Sequence, residues 1–158
     1  MSERARALAD DFEQVNDSLI RLVEGLSDAQ WATRTDAEGW SVAITTRHIA
    51  GAHAFIARRA RALAEGQPFP PMPPGGIDAE NARDAERYAD VTRDEVLSLL
   101  RSNGAEASAL VRGLSDEQLG ISFTRPDGAT MTVVSLIELA LIGHPRAHGD
   151  SIRATLGL

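Results

Sequence analysis

The feature that most constrains this chain is a helical hydrophobic period that runs almost from end to end. Leu8, Phe12, Val15, Leu19, Leu22 and Leu26 recur at steps of four and three, which is one face of a long amphipathic helix. Ser27-Asp-Ala-Gln30 is a capping box that opens a short helix around Trp31, followed by a loop through Gly39. Ser41 is placed to cap a second long helix, which Gly66 stops. Residues 67–76 (QPFPPMPPGG) hold five prolines and two glycines, so they form neither helix nor central strand and act as a crossover. A third helical region spans 78–112, broken at a second capping box, Thr92-Arg-Asp-Glu95. Arg125-Pro-Asp-Gly128 is a turn, and the last helix covers 132–156.

The motif Gly25-Leu-Ser-Asp-Ala-Gln-Trp31 recurs as Gly113-Leu-Ser-Asp-Glu-Gln-Leu119, each copy between two long helices. The repeating unit is therefore helix, short capped helix, loop, helix. Two such hairpins joined by the proline-rich crossover pack most simply as an all-α four-helix bundle. At 158 residues one domain is expected, spanning 1–158. No apolar run approaches the ~18 residues of a membrane span, and the N-terminus is charged without a signal-like apolar core. A soluble, cytoplasmic protein is expected.

Composition removes several kinds of chemistry. A net charge of -7 argues against nucleic-acid binding, which needs a concentrated basic surface. Zero cysteines exclude thiolate catalysis, Cys-ligated zinc, iron–sulfur clusters and disulfides. All 16 basic residues are Arg, which excludes Schiff-base and Walker-type lysine chemistry. The reactive inventory comes down to four histidines, some carboxylates and one tyrosine.

The positions of the histidines are informative. At 100° per residue His48 falls between Ile44, Ala52 and Phe55, inside the apolar stripe of the second helix. His53 lies about 140° away and cannot share a site with His48 from the same helix. His144 and His148 are four apart on the last helix, on the face that carries Val133, Ile137, Leu141 and Ile152. Three interior-facing imidazoles on two helices, two of them at i and i+4, suit Zn(II), Ni(II), Fe(II) or Co(II) with positions left open for water or substrate. Histidines buried and satisfied in a core have the same spacing, so the pattern alone leaves both readings open.

Trp40-Ser41 followed by His48, then HxxxH with a trailing His148-Gly-Asp-Ser-Ile152, resembles the DinB-like superfamily, which includes the YfiT-like proteins and the mycothiol-dependent maleylpyruvate isomerase domains. The resemblance covers essentially the whole chain. It implies an up-down-down-up bundle in which three histidines hold a divalent ion, often nickel or zinc, and by position these are His48, His144 and His148. It further implies a metal-dependent transferase or isomerase that uses a low-molecular-weight thiol such as bacillithiol, mycothiol or glutathione, and a homodimer. One departure stands out. Pro145 follows His144 inside the last helix, where it removes a donor and clashes with the carbonyl four residues back, so a kink or bulge is expected.

A metal-dependent enzyme acting on a small molecule is thus the leading expectation. A non-catalytic metal- or ligand-binding bundle and a metal-free dimerising protein are the alternatives. Phe55 and Arg59 on the second helix, and Asn81 and Tyr88 after the crossover, are the candidate pocket lining.

Overall fold

The computed structural model describes residues 2–158. Its elements are α1 (Glu3–Glu24), α2 (Asp28–Ala32), α3 (Val42–Ala64), α4 (Gly76–Arg87), α5 (Arg93–Arg112), α6 (Asp116–Leu119), β1 (Ser122–Thr124), β2 (Thr130–Thr132), α7 (Val133–Leu136) and α8 (His144–Leu156), with a π-helical stretch, Ile137–Gly143, between the last two. Local chemistry sets the boundaries as the sequence indicates. Ser27, Thr92 and Ser115 each form a complete capping box, and the Ser41 side chain accepts from the Ile44 amide at the start of α3. Each such cap stabilises its helix by about 1 kcal/mol. Gly66 ends the α3 turn at φ 83°, a left-handed conformation that costs glycine nothing.

Side-chain contacts give the directions of the four long helices. Going down α1 from Glu24 to Asp10, contacts rise along α5: Glu24 with Arg101, Glu13 with Ser108 and Asp10 with Arg112. Those two helices are antiparallel. Asn103 donates to the Ala50 carbonyl at 2.8 Å and Arg58 pairs with Glu106, so α3 and α5 run parallel. His48 meets His144, whereas Asp36, before α3, meets Thr155, so α8 runs opposite to α3. The result is the up-down-down-up bundle, with the crossover of residues 67–75 and α4 joining α3 to α5.

Phe12, Leu19, Ile49, Leu63, Leu100, Ile137, Leu141 and Ile152, all under 2% or at 2% exposed, form the shared core. Each such side chain contributes roughly 1.5–3 kcal/mol by leaving water. Ala50, Ala54, Ala57 and Ala60 keep the buried face of α3 small, which lets α5 approach its backbone. The Arg125–Gly128 turn joins two short strands that pair Ser122 with Thr132 and Thr124 with Thr130, a hairpin that the helical period does not indicate. Its inward Phe123 stacks on Phe69 at 5.7 Å and pins the proline-rich crossover to the bundle. Among the described residues no helix is long and apolar enough to cross a membrane.

Candidate metal centre

Three histidines from two antiparallel elements meet near one end of the bundle. His48 comes from the first third of α3, and His144 and His148 from the first turns of α8. The Nε2 atoms converge: His48 to His144 is 3.1 Å and His148 to His144 is 3.0 Å. One ligand atom from each lies within 4.8 Å of the other two. With metal–nitrogen bonds of about 2.05 Å, the nitrogen–nitrogen edge is roughly 2.9 Å at right angles and roughly 3.3 Å for a tetrahedron. The two separations to His144 fall inside that range and the third lies within 4.8 Å, so the three donors could hold a single divalent ion.

The π-helical stretch accounts for Pro145. The His144 amide reaches back five residues to the Leu139 carbonyl, so the extra residue is taken up before His144. Regular α-helix then starts at His144 itself, with Pro145 in its first turn, where a missing N–H does least harm. The expected distortion is present, but it lies on the N-terminal side of the pair. His144 and His148 remain one regular turn apart, their ring centroids 4.4 Å from each other.

A carboxylate that the helical period could not reveal completes the site. Glu38 Oε1 lies 2.6 Å from His148 Nδ1, and Ser151 Oγ donates to Glu38 Oε2 at 2.8 Å. The Glu38 side chain is 10% exposed, although it sits in a loop. That loop is a tight turn: the Thr35 amide donates to the Trp40 carbonyl at 2.7 Å, the Gly39 amide to Thr35 at 3.0 Å, and Gly39 is left-handed at φ 72°. Burial alone would raise the Glu38 carboxyl, but hydrogen bonds from His148, Ser151 and Thr35 outweigh it and hold the group below its ordinary range. An ionised Glu38 is placed to accept a proton from His148 Nδ1, and in that tautomer the Nε2 lone pair faces the other imidazoles, the arrangement by which carboxylates orient metal-ligating histidines.

Burial, reinforced by the charge of His148, pushes both His48 and His144 down to about 4. They are therefore neutral at pH 7, the state in which imidazole nitrogen binds a cation. His144 Nδ1 is buried without a hydrogen-bond partner among the described residues. The Trp40 ring packs edge-on against His48 at 5.5 Å and covers one side of the centre.

The other residues singled out from the sequence surround α3 and α4. Phe55 is 59% exposed, with the Arg59 guanidinium 4.9 Å from its ring. Tyr88 is half-buried beneath the Arg47 guanidinium, and Asn81 is half-buried on α4. None of the four hydrogen-bonds a histidine of the triad. Asp84, on α4, acts on His48 by its charge. His53 stands apart in the core, bonded to Asn16 at 3.0 Å.

The fold matches two solved structures. One is YfiT from Bacillus subtilis, described as a probable metal-dependent hydrolase with an unusual four-helix bundle topology, at TM-score 0.73 and 21% identity over 99% of this chain and 90% of that one. The other is a mycothiol-dependent maleylpyruvate isomerase, at TM-score 0.72 and 16% identity; the match covers 95% of this chain and 60% of that protein. No curated protein sequence matches. The family model of the DinB superfamily matches residues 11–152, and this chain belongs to that superfamily.

Proposed function

We propose that His48, His144 and His148 hold one divalent ion, zinc or nickel, and that the protein, a single domain over 1–158, is a metal-dependent transferase or isomerase acting on a small molecule with a low-molecular-weight thiol cosubstrate. The observation that carries this reading is the convergence of three Nε2 atoms, with Glu38 holding the far nitrogen of one ring. A divalent ion held by these three nitrogens would supply Lewis acidity to a thiol or a water beside it.

The chain's own groups set up that chemistry. Glu38 fixes the tautomer of His148, Ser151 fixes Glu38, and Trp40 shields one face of His48 from water. The thiol comes from outside because the chain has no cysteine. The mycothiol-dependent isomerase that shares the fold supports this assignment of the cosubstrate. Small-molecule turnover in a homodimer is the full form of the proposal.

Elemental analysis of tag-free protein tests it. Wild type is expected to hold about one equivalent of metal, and His48→Ala and His148→Ala none, as follows from the loss of one of only three protein ligands. A metal-free wild type after exposure to Zn(II) and Ni(II) would refute the centre. Metal-dependent consumption of an electrophile together with a thiol then separates an enzyme from a bundle that only binds.

A further inference from the structure

Every basic side chain of this protein is an arginine, and most are committed. Among the described residues only Arg6, Arg21, Arg34, Arg47, Arg59 and Arg146 have no carboxylate within 4.0 Å. Arg6, Arg21, Arg34 and Arg146 are exposed, where water satisfies a guanidinium. Arg47 and Arg59 are half-buried and donate no hydrogen bond to any described residue. A guanidinium drawn partly out of water without an anion is unfavourable, and both of these are on α3, the helix that carries His48.

Each is held by aromatic rings. The Arg47 guanidinium lies 3.8 Å above the Tyr88 ring centroid. It also occupies the space that a side chain at position 51 would take, since a Cβ there would lie 2.5 Å from Arg47 Nη1. Arg47 therefore runs forward along α3 to the level of Gly51. Arg59 runs the other way, its guanidinium 4.9 Å from Phe55 and 5.0 Å from Phe69. Burial lowers the Arg59 pKa, but a guanidinium remains charged.

Positions 51 and 55 are i and i+4 neighbours on one face of the helix, about 5–6 Å apart at Cβ. The two guanidiniums are thus carried to adjacent turns of α3, at positions one and two turns beyond His48 and within roughly 60° of its azimuth. Each guanidinium lies over an aromatic ring and donates no hydrogen bond to the described residues, which leaves its N–H groups for an oxyanion, the group a guanidinium receives bidentately. Among the described residues no acidic group lies within ion-pair distance of either guanidinium. Asp84 acts on His48, and Glu95 is engaged in its capping box with Thr92 while acting on Arg47 only through its charge.

We propose that Arg47 and Arg59 form an oxyanion subsite over Gly51 and Phe55, which receives a carboxylate or phosphate group of the small molecule that the three-histidine centre acts on. Its link to turnover rests on the function proposed above; its binding of an anion does not.

The test is calorimetric titration of the purified full-length chain with succinate and with inorganic phosphate at fixed ionic strength. Wild type is compared with Arg47→Gln, Arg59→Gln and Gly51→Ala, with metal content and thermal melting measured on each. At least one probe is expected to bind wild type, and which one identifies the oxyanion. Loss of either arginine weakens binding roughly ten- to a hundredfold, the effect of a charge-assisted hydrogen bond. Gly51→Ala melts no lower than wild type because alanine favours a helix interior, yet it displaces the Arg47 guanidinium and weakens binding too. Metal content stays at the wild-type value in all three. Failure of both probes to bind wild type, or binding that all three variants leave unchanged, overturns the subsite. A wild type that binds the anion through these arginines but takes up no metal supports the subsite and removes the proposed function.

Discussion

His48 and His53 are five positions apart on the same helix, and the structure gives them opposite surroundings. His53 is 1% exposed, and its Nε2 is 3.0 Å from the Asn16 side-chain oxygen. Asn16 in turn donates to the Leu100 carbonyl at 3.0 Å. Gly104 makes room for this link, since a Cβ there would come within 2.3 Å of Asn16 Nδ2. The network ties α1, α3 and α5 together. His48 is only half-buried, its Nε2 lies 3.1 Å from that of His144, and its ring stands 5.4 Å from that of His148. One histidine has its partner within the fold; the other lies in a cluster of ring nitrogens that could hold a cation. Residue type and burial do not distinguish them as well as the identity of the atom each nitrogen faces.

Stability separates the two most strongly. His53→Ala opens a core cavity and strands the Asn16 oxygen, and is expected to destabilise the protein by about 3–5 kcal/mol in urea titrations. The folded fraction keeps its metal. His48→Ala does the reverse, with a loss of about 1 kcal/mol or less in metal-free protein and complete loss of metal. If His53→Ala abolished metal binding without unfolding the chain, the comparison would collapse.

Acid provides the next test. Burial holds His53 at about 3, well below its ordinary 6.5. Between those values the unfolded chain binds a proton that the folded chain does not, so unfolding free energy falls as pH falls through this window. One such group contributes a slope of about 1.4 kcal/mol per pH unit. The double variant Asn16→Leu/His53→Leu removes both partners and that proton together. Urea midpoints of metal-free protein from pH 6.5 to 4.5 should therefore be flatter in the double variant by one proton's slope. Parallel acid limbs would mean that His53 is not held neutral.

Much of this arrangement is legible in the sequence, because periodicity reports which way a helical side chain faces. His48 and the His144–His148 pair fall among apolar residues at helical spacing, and the caps at Ser27, Ser41, Thr92 and Ser115 mark where helices begin. Glu38 was not legible. It sits in a loop without a period, brought in by the left-handed turn at Gly39 and by the Thr35–Trp40 hydrogen bonds, which depend on the fold around them. Pro145 announced a disturbance in the last helix but not its place. Ile137, Leu141 and Ile142 all stay buried across the π-helical stretch, so core packing, which no local rule encodes, accompanies a bulge that falls before His144. The β1–β2 hairpin has strands of three residues, too short for alternation to stand out.

Smaller effects sharpen the comparison at the metal side. Glu38→Gln keeps the shape of the side chain but removes the charge that orients His148. Metal affinity, measured by competition with a chelator, is expected to drop 10–100-fold, while stability of the metal-free protein changes little. The corresponding change at the core histidine, Asn16→Asp, alters stability and leaves the affinity alone. An affinity unchanged by Glu38→Gln would show that the carboxylate only packs there.

Ser151→Ala is the mildest of these variants. It removes one of the hydrogen bonds that hold Glu38, the 2.8 Å contact to Oε2, and leaves the contacts to His148 and Thr35. A carboxylate that keeps its charge and its bond to the imidazole still fixes the tautomer, so only the precision of its placement is lost. A single hydrogen bond of this kind contributes about 1 kcal/mol, which bounds the fall in metal affinity at roughly fivefold. The order Glu38→Gln, then Ser151→Ala, is what a chain of positioning contacts requires, because each step acts on the metal only through the one before it. An effect of Ser151→Ala as large as that of Glu38→Gln would place the serine in direct contact with the bound ion or its ligand, and the centre would then have a fourth protein group on α8.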